Sequence, residues 1–264
     1  MDTTTTTPGQ PPGLAPGLTV SGLDKRLGGR PVLRDLGFHA PRGAVTAVVG
    51  PNGAGKTTTL RCLAGVLRPD AGEIRVPDAA GTRTRGAAAV SFLPEEPDLY
   101  PALTAGEHLR FLALAHRLDR GWRERADGLL DRFALTDLVD RLPYELSQGQ
   151  RRKVAIVGGL LYGARVLLFD EPFNGLDPPS VRELRDLVVE LAADGATVVV
   201  STHGLAAAER FCDHVVVLDG GGCRAQGSLP ELRSRAGLGG DADLEDVYLE
   251  LTGTPLVGDA EVGP

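Results

Sequence analysis

Cysteine is scarce and scattered. Cys62, Cys212 and Cys223 are the three in 264 residues and show no CxxC spacing, which argues against a zinc ribbon or a disulfide framework and suits a reducing compartment. Long apolar runs are missing as well. The longest, Val154 to Ala164, is interrupted by glycines and falls well short of the about 20 residues a membrane span requires. The segment from Met1 to Gly17 has no cationic stretch followed by an apolar one, so no secretory signal is expected. It reads as a disordered polar leader over residues 1–17, and residues 254–264 read as a flexible tail. Lysine is rare: of 28 basic side chains only Lys25, Lys56 and Lys153 are lysine. The net charge of −7 speaks against a nucleic-acid platform, so no nucleic-acid partner is expected. No internal repeat is visible, and a chain this long buries enough surface to need no covalent staple.

What is present changes its periodicity in an informative order. Leu18 to Leu23 and Pro31 to His39 read as strands joined by a Gly28-Gly29 turn, the start of an antiparallel sheet. Ala44 to Val49 is a continuous apolar run, as in a strand buried on both faces. A glycine-rich loop then leads into a helix over Thr57 to Ala64, and Val90 to Leu93 makes another short strand. From Thr104 the pattern is helical: Thr104 with Glu107 forms a capping box, Leu109, Leu112 and His116 follow at helical spacing, and Trp122 to Phe133 gives a second helix. Val166 to Phe169 and Thr197 to Ser201 read as buried strands flanking a helix over Pro179 to Ala193. Strand, helix, strand implies a parallel unit. The expected fold is therefore α/β: a P-loop core with a parallel sheet, an N-terminal antiparallel β subdomain, and a helical subdomain inserted at about residues 95–160 of one domain spanning 18–253.

The sharpest chemical signal is Gly50-Pro51-Asn52-Gly53-Ala54-Gly55-Lys56-Thr57, followed by Thr58. It matches GxxxxGK[ST] between a strand and a helix. Glycines let successive N–H groups turn inward around a phosphate, and the helix that follows adds its positive end. Lys56 can reach the β- and γ-phosphates, and the Thr57 hydroxyl can hold Mg²⁺. A second constellation is Val166-Leu167-Leu168-Phe169-Asp170-Glu171, an apolar strand ending in two carboxylates. A parallel sheet presents ligands at such strand ends. Asp170 suits the Mg²⁺ shell, and Glu171 suits orienting or deprotonating an attacking water.

Leu146-Ser147-Gln148-Gly149-Gln150, lying between these two motifs, resembles the LSGGQ signature of ATP-binding cassette (ABC) proteins. Asn174-Gly175-Leu176-Asp177 resembles that family's D-loop, and His203 its switch histidine. The resemblance runs from about Leu18 to Gly253 and points to the ATPase subunits of multidrug and other exporters. It implies ATP and Mg²⁺ as cofactors and a head-to-tail dimer, homo- or heterodimeric, with two nucleotides sandwiched between cassettes. Ser147, Gly149 and Gln150 would then serve a nucleotide held by the partner's glycine loop, with Arg151, Arg152 and Lys153 adding positive charge nearby. His203 would meet the γ-phosphate, and Asp177 would couple the two sites. The resemblance also implies an integral membrane permease as partner and a peripheral place on the cytoplasmic face of the membrane. Three positions depart from the family pattern. Leu27 stands where an aromatic usually stacks on adenine, Glu95 where a Mg²⁺-touching glutamine is common, and Gln148 where glycine is commoner. Glu95 still offers an oxygen to a metal. Transport by export is the leading reading. A soluble assembly role, as in iron–sulfur cluster biogenesis, is the alternative, and a catalytically silent cassette is disfavoured because Lys56, Asp170, Glu171 and His203 are all present.

Overall fold

A computed structural model of the chain describes residues 16–76 and 90–253. The tail over 254–264 and all but the last two residues of the leader lie outside the described residues. Those last two are not leader: the first strand already begins at Pro16.

Strand β1 (Pro16–Leu27) runs antiparallel to β2 (Arg30–Pro41), with the two-residue Gly28-Gly29 turn between them. Both are longer than the apolar pattern alone suggests, because bulges shift the register along the ladder and reset which face is buried. The six residues of β3 (Ala44–Val49) are all buried, as a continuous apolar run demands. Helix α1 (Lys56–Leu63) follows the glycine loop directly. Strand β4 (Ala71–Arg75) pairs with β1 and completes a three-stranded sheet of order β2-β1-β4.

After β5 (Val90–Leu93) the chain enters three helices, α2 (Ala105–Ala115), α3 (Trp122–Arg132) and α4 (Gln148–Leu160). The Thr104–Glu107 capping box forms in both directions: the Glu107 amide donates to Thr104 Oγ1 at 3.2 Å and the Thr104 amide to Glu107 Oε2 at 2.9 Å. Strand β6 (Val166–Asp170), helix α5 (Pro178–Ala193) and β7 (Thr197–Thr202) return to the core. Beyond them come a short helix α6 (Leu205–Ala208), strands β8 (His214–Asp219) and β9 (Gly222–Gly227), and helices α7 (Leu229–Ala236) and α8 (Leu244–Thr252).

The main sheet has order β5-β6-β7-β3-β8-β9, parallel throughout except for β9. One apolar cluster joins the inserted helices to the sheet through Leu109, Leu130, Ile156, Phe169, Leu184 and Val198. A second joins the antiparallel sheet to the opposite face through Phe38, Leu36, Val48, Leu60 and Leu168. Since β3, β6 and β7 are adjacent and parallel, their carboxyl ends open at one edge, where an open α/β sheet binds ligands.

Candidate nucleotide site

Sheet register builds this edge. Asp170 closes β6 in register with Ser201 of β7, and Val49 closes β3 in register with Thr202. The glycine loop, the paired carboxylates and His203 therefore leave three neighbouring strands at nearly the same level. Between them lies a cavity of about 290 Å³ lined by Pro51, Asn52, Gly53, Gly55, Lys56, Thr57, Thr58, Glu95, Glu171, His203 and Val32.

Within the loop, Gly55 has φ +102°, a left-handed value, and a Cβ there would come within 2.7 Å of Leu33 Cδ2. Only glycine fits without displacement. At Gly50 a Cβ would approach the Leu218 carbonyl oxygen to 2.4 Å. Ala54 is buried in the core and anchors the loop from beneath. Lys56 is buried; its Nζ donates to Gly50 O at 2.7 Å and to Pro51 O at 3.3 Å and stands 3.8 Å from Glu171 Oε1. Burial pulls the Lys56 pKa down, against the opposing pull of Glu171, Asp170 and Glu95. A cation buried at the wall of this cavity, held by two backbone carbonyls and a carboxylate, is poorly hydrated and favours an anion such as phosphate.

Asp170 is almost fully buried. Its Oδ1 accepts from Thr57 Oγ1 at 3.1 Å and from Ser201 Oγ at 2.6 Å, while its Oδ2 is buried with no partner. An unpartnered buried carboxylate oxygen next to a threonine hydroxyl suits a hard cation that takes oxygen ligands. Glu95 lines the same cavity, and its Oε1 accepts from Asn174 Nδ2 at 3.1 Å. Glu171 holds an unusual backbone, φ +44° on a non-glycine residue, of a kind concentrated at functional sites. Its amide donates to Ser201 O at 3.2 Å and to Ser201 Oγ at 3.0 Å, and its Oε2 lies 3.1 Å from His203 Nδ1.

The signature residues fall elsewhere. Ser147 caps α4, accepting from the Gln150 amide at 3.2 Å, while Gln150 Oε1 accepts from the Ser147 amide at 2.8 Å. Ser147 is exposed, and neither it, Gly149 nor Gln150 lines the cavity of Lys56. Gly149 and Lys153 of this helix meet the turn after β6 instead: a Cβ on Gly149 would come 2.8 Å from the Gly175 carbonyl oxygen, and Lys153 Nζ stands 3.1 Å from Asp177 Oδ2. Asp177 caps α5, accepting from the Ser180 hydroxyl at 2.7 Å and its amide at 2.9 Å, which holds its carboxyl down at about 2.

Sequence reasoning missed two participants and misplaced a third. Ser201 bridges Asp170 and Glu171, and Val32, not Leu27, lines the cavity; Arg152, expected to add positive charge beside the signature, is instead buried and binds the backbone behind the two carboxylates. Leu27 sits at the hairpin end, 41 % exposed. The Asp170–Ser201 pairing depends on strand register across the fold, which no local pattern carries. Val32 had a signal in its place on the strand after the glycine turn.

A glycine cradle with its lysine, a buried aspartate beside a threonine, and a glutamate–histidine pair at one parallel-sheet edge define a P-loop nucleotide-binding ATPase. The family model described as "ABC transporter" matches residues 33–174, and this chain belongs to that family as an ATP-binding, ATP-hydrolysing subunit of a transporter. Its sequence is 37% identical over 242 residues to the ABC-type transporter ATP-binding protein EcsA of Bacillus subtilis, covering 89% of this chain and 96% of the relative. It is also 37% identical to the daunorubicin resistance ATP-binding protein DrrA3 of Streptomyces coeruleorubidus, over 89% of this chain and 74% of that protein. The L-cystine import ATP-binding protein TcyC of Bacillus subtilis is 34% identical, over 82% of this chain and 92% of that protein. A solved structure described as the ATP binding subunit of an ABC transporter superposes with a TM-score of 0.83 at 37% identity, covering 89% of this chain and 99% of that one. Among the described residues, no helix is long and apolar enough to cross a membrane.

Proposed function

We propose that this chain drives export through a separate membrane-spanning permease, held at the cytoplasmic face, by closing on ATP with a second cassette and reopening after hydrolysis. In this reading the cassette is one domain, expected over 18–253 and lengthened to Pro16 by its first strand, with a helical insertion at about 95–160. The observation that supports this most is the separation of two anion-binding groups in one chain. Lys56 lines its cavity, while the exposed Ser147 tip of α4 contributes nothing to that lining. A 13-residue helix with a free hydroxyl proton and N–H groups at its start favours an anion, and a second copy or a homologous chain can supply that anion as bound nucleotide.

In this reading Gly50 through Thr58 wrap the phosphates and Lys56 neutralises the β- and γ-oxygens. Thr57 Oγ1 and Asp170 Oδ2, with Glu95 at the rim, are the groups that would hold Mg²⁺, and the ion would supply positive charge against the phosphates. Glu171 takes a proton from the attacking water while His203 Nδ1 steadies its carboxylate. Ser147, Gly149 and Gln150 contact the nucleotide of the opposite cassette, and Asp177 links the two sites.

The transporter family supports a membrane partner, and likeness to relatives named for export, the Nod factor export ATP-binding protein I and the SkfA peptide export ATP-binding protein SkfE, supports export. The cystine-import relative shows why direction needs its own measurement. The tagged chain, produced in its own host, should sediment with membranes through a high-salt wash and bring a membrane-spanning permease with it on purification. Inside-out vesicles should accumulate the permease's substrate on ATP addition. A chain that stays in the soluble fraction overturns the permease reading and favours the assembly alternative. Substrate leaving the vesicles reverses the direction alone.

A further inference from the structure

Arg152 sits near the start of α4, 5 % exposed. Its Nε donates to Pro172 O at 3.1 Å and its Nη2 to Glu171 O and, at 3.4 Å, to Asp170 O. One guanidinium thus binds three consecutive carbonyls of the segment that carries both carboxylates. That segment includes the left-handed Glu171, whose φ of +44° crowds its Cβ against the neighbouring carbonyl and relaxes unless its surroundings hold it. On the amide side, Ser201 supplies the hold, through O at 3.2 Å and Oγ at 3.0 Å. On the carbonyl side Arg152 supplies it. Between the two, the carboxylate is set with Oε1 3.8 Å from Lys56 Nζ and Oε2 3.1 Å from His203 Nδ1.

Satisfying three turn carbonyls could be structural housekeeping. Two features argue for more. A charged group has been buried where neutral donors would satisfy carbonyls at lower desolvation cost, and the planar fork of arginine fits several acceptors in a way lysine's point charge does not. The residue also rides on the helix whose first turn carries Ser147, Gly149 and Gln150, so a rigid rod joins that tip to the carboxylate of the chain's own site.

We propose that Arg152 is a positioning residue for ATP hydrolysis: by holding the carbonyls of Asp170, Glu171 and Pro172 it sets where the Glu171 carboxylate stands, and it ties that placement to the position of the Ser147 helix. The inference rests on the reading of Glu171 as the group that handles the attacking water.

The test is steady-state ATPase of the full chain with nucleotide affinity measured in parallel. Arg152→Met should lower kcat on the order of 10²-fold, the cost of a small misplacement of a reacting group, with KM and ATP affinity within about 2-fold. Arg152→Lys, keeping charge and one donor, should fall between. In a Glu171→Gln background Arg152→Met should add no further loss, because residues acting through one group are not additive. Parental kcat in folded Arg152→Met overturns the proposal, as does a loss that only tracks the folded fraction or adds fully to that of Glu171→Gln. Should Arg152→Met fail to fold, Arg152→Lys decides: reduced kcat at unchanged KM supports the proposal and parental kcat overturns it. Glu171→Gln turning over at the parental rate would instead sink the reading of Glu171 and leave a distinct signature.

Discussion

His214, at the start of β8, tests whether the burial seen here is energetically real. It is 1 % exposed, both its ring nitrogens lack a partner, and its ring lies 4.8 Å from that of His39. Desolvation, and then the nearby His39, lower its pKa to about 4, against the weaker opposing pull of Glu231. The unfolded chain binds this proton near 6.5 and the folded chain only near 4, so protonation favours unfolding. Stability is therefore whole above pH 6.5 and drains as pH falls toward 4. Linkage gives a loss of about 2 kcal/mol at pH 5 relative to neutral pH, a fall in Tm of about 4–8 °C for a domain of this size. The assay is thermal unfolding of the parent and of His214→Leu at pH 7.5 and pH 5.0. His39, also lowered by burial, and the carboxylates titrate in both proteins, so the difference between them reports His214 together with its coupling to His39. The variant should lose less stability on acidification by that amount. Equal losses in the two proteins would refute the reasoning.

Lys56→Ala should weaken ATP binding about 10- to 100-fold, the scale of losing charge-assisted contacts to phosphate, in a fluorescent-nucleotide titration. Unchanged affinity would remove Lys56 from its role. Gly55→Ala forces a Cβ to within 2.7 Å of Leu33 Cδ2 at φ +102°; it should cost about 1–3 kcal/mol in thermal unfolding and reduce ATP affinity as well. A variant as stable as the parent would show that the loop has no need of glycine there. Thr104→Ala removes the reciprocal cap of α2 and should cost about 1 kcal/mol, read as a Tm drop of about 2–4 °C at unchanged nucleotide affinity.

The nucleotide motifs were legible because their chemistry is local. A glycine loop needs contiguous glycines, and an apolar strand ending in Asp170 and Glu171 announces itself within six residues. Helix starts were legible where a cap is reciprocal, as at Thr104. Strand β4 was not, since Ala71–Arg75 is half-exposed and carries one large apolar residue, Ile74. Its identity comes from pairing with β1. Strand β8 did carry a signal, the run Val215 to Leu218, which marks a strand buried on both faces. Strand β9 is held by its antiparallel partner and by little in its own composition. In the site, the contacts that escaped notice span long separations: Ser201 reaches Asp170 through strand register, and Arg152, read only as charge beside the signature, reaches the Glu171 carbonyl through helix packing. Neither leaves a local trace.

The Lys56 cavity and the exposed Ser147 tip of α4 share no lining in one chain, and the proposed sandwich requires a second cassette to bring them onto one nucleotide. Glu171→Gln should bind ATP and stall before hydrolysis, so light scattering on a sizing column should report twice the monomer mass in saturating MgATP and monomer without nucleotide. A nucleotide-bound variant that elutes only as monomer would contradict the sandwich.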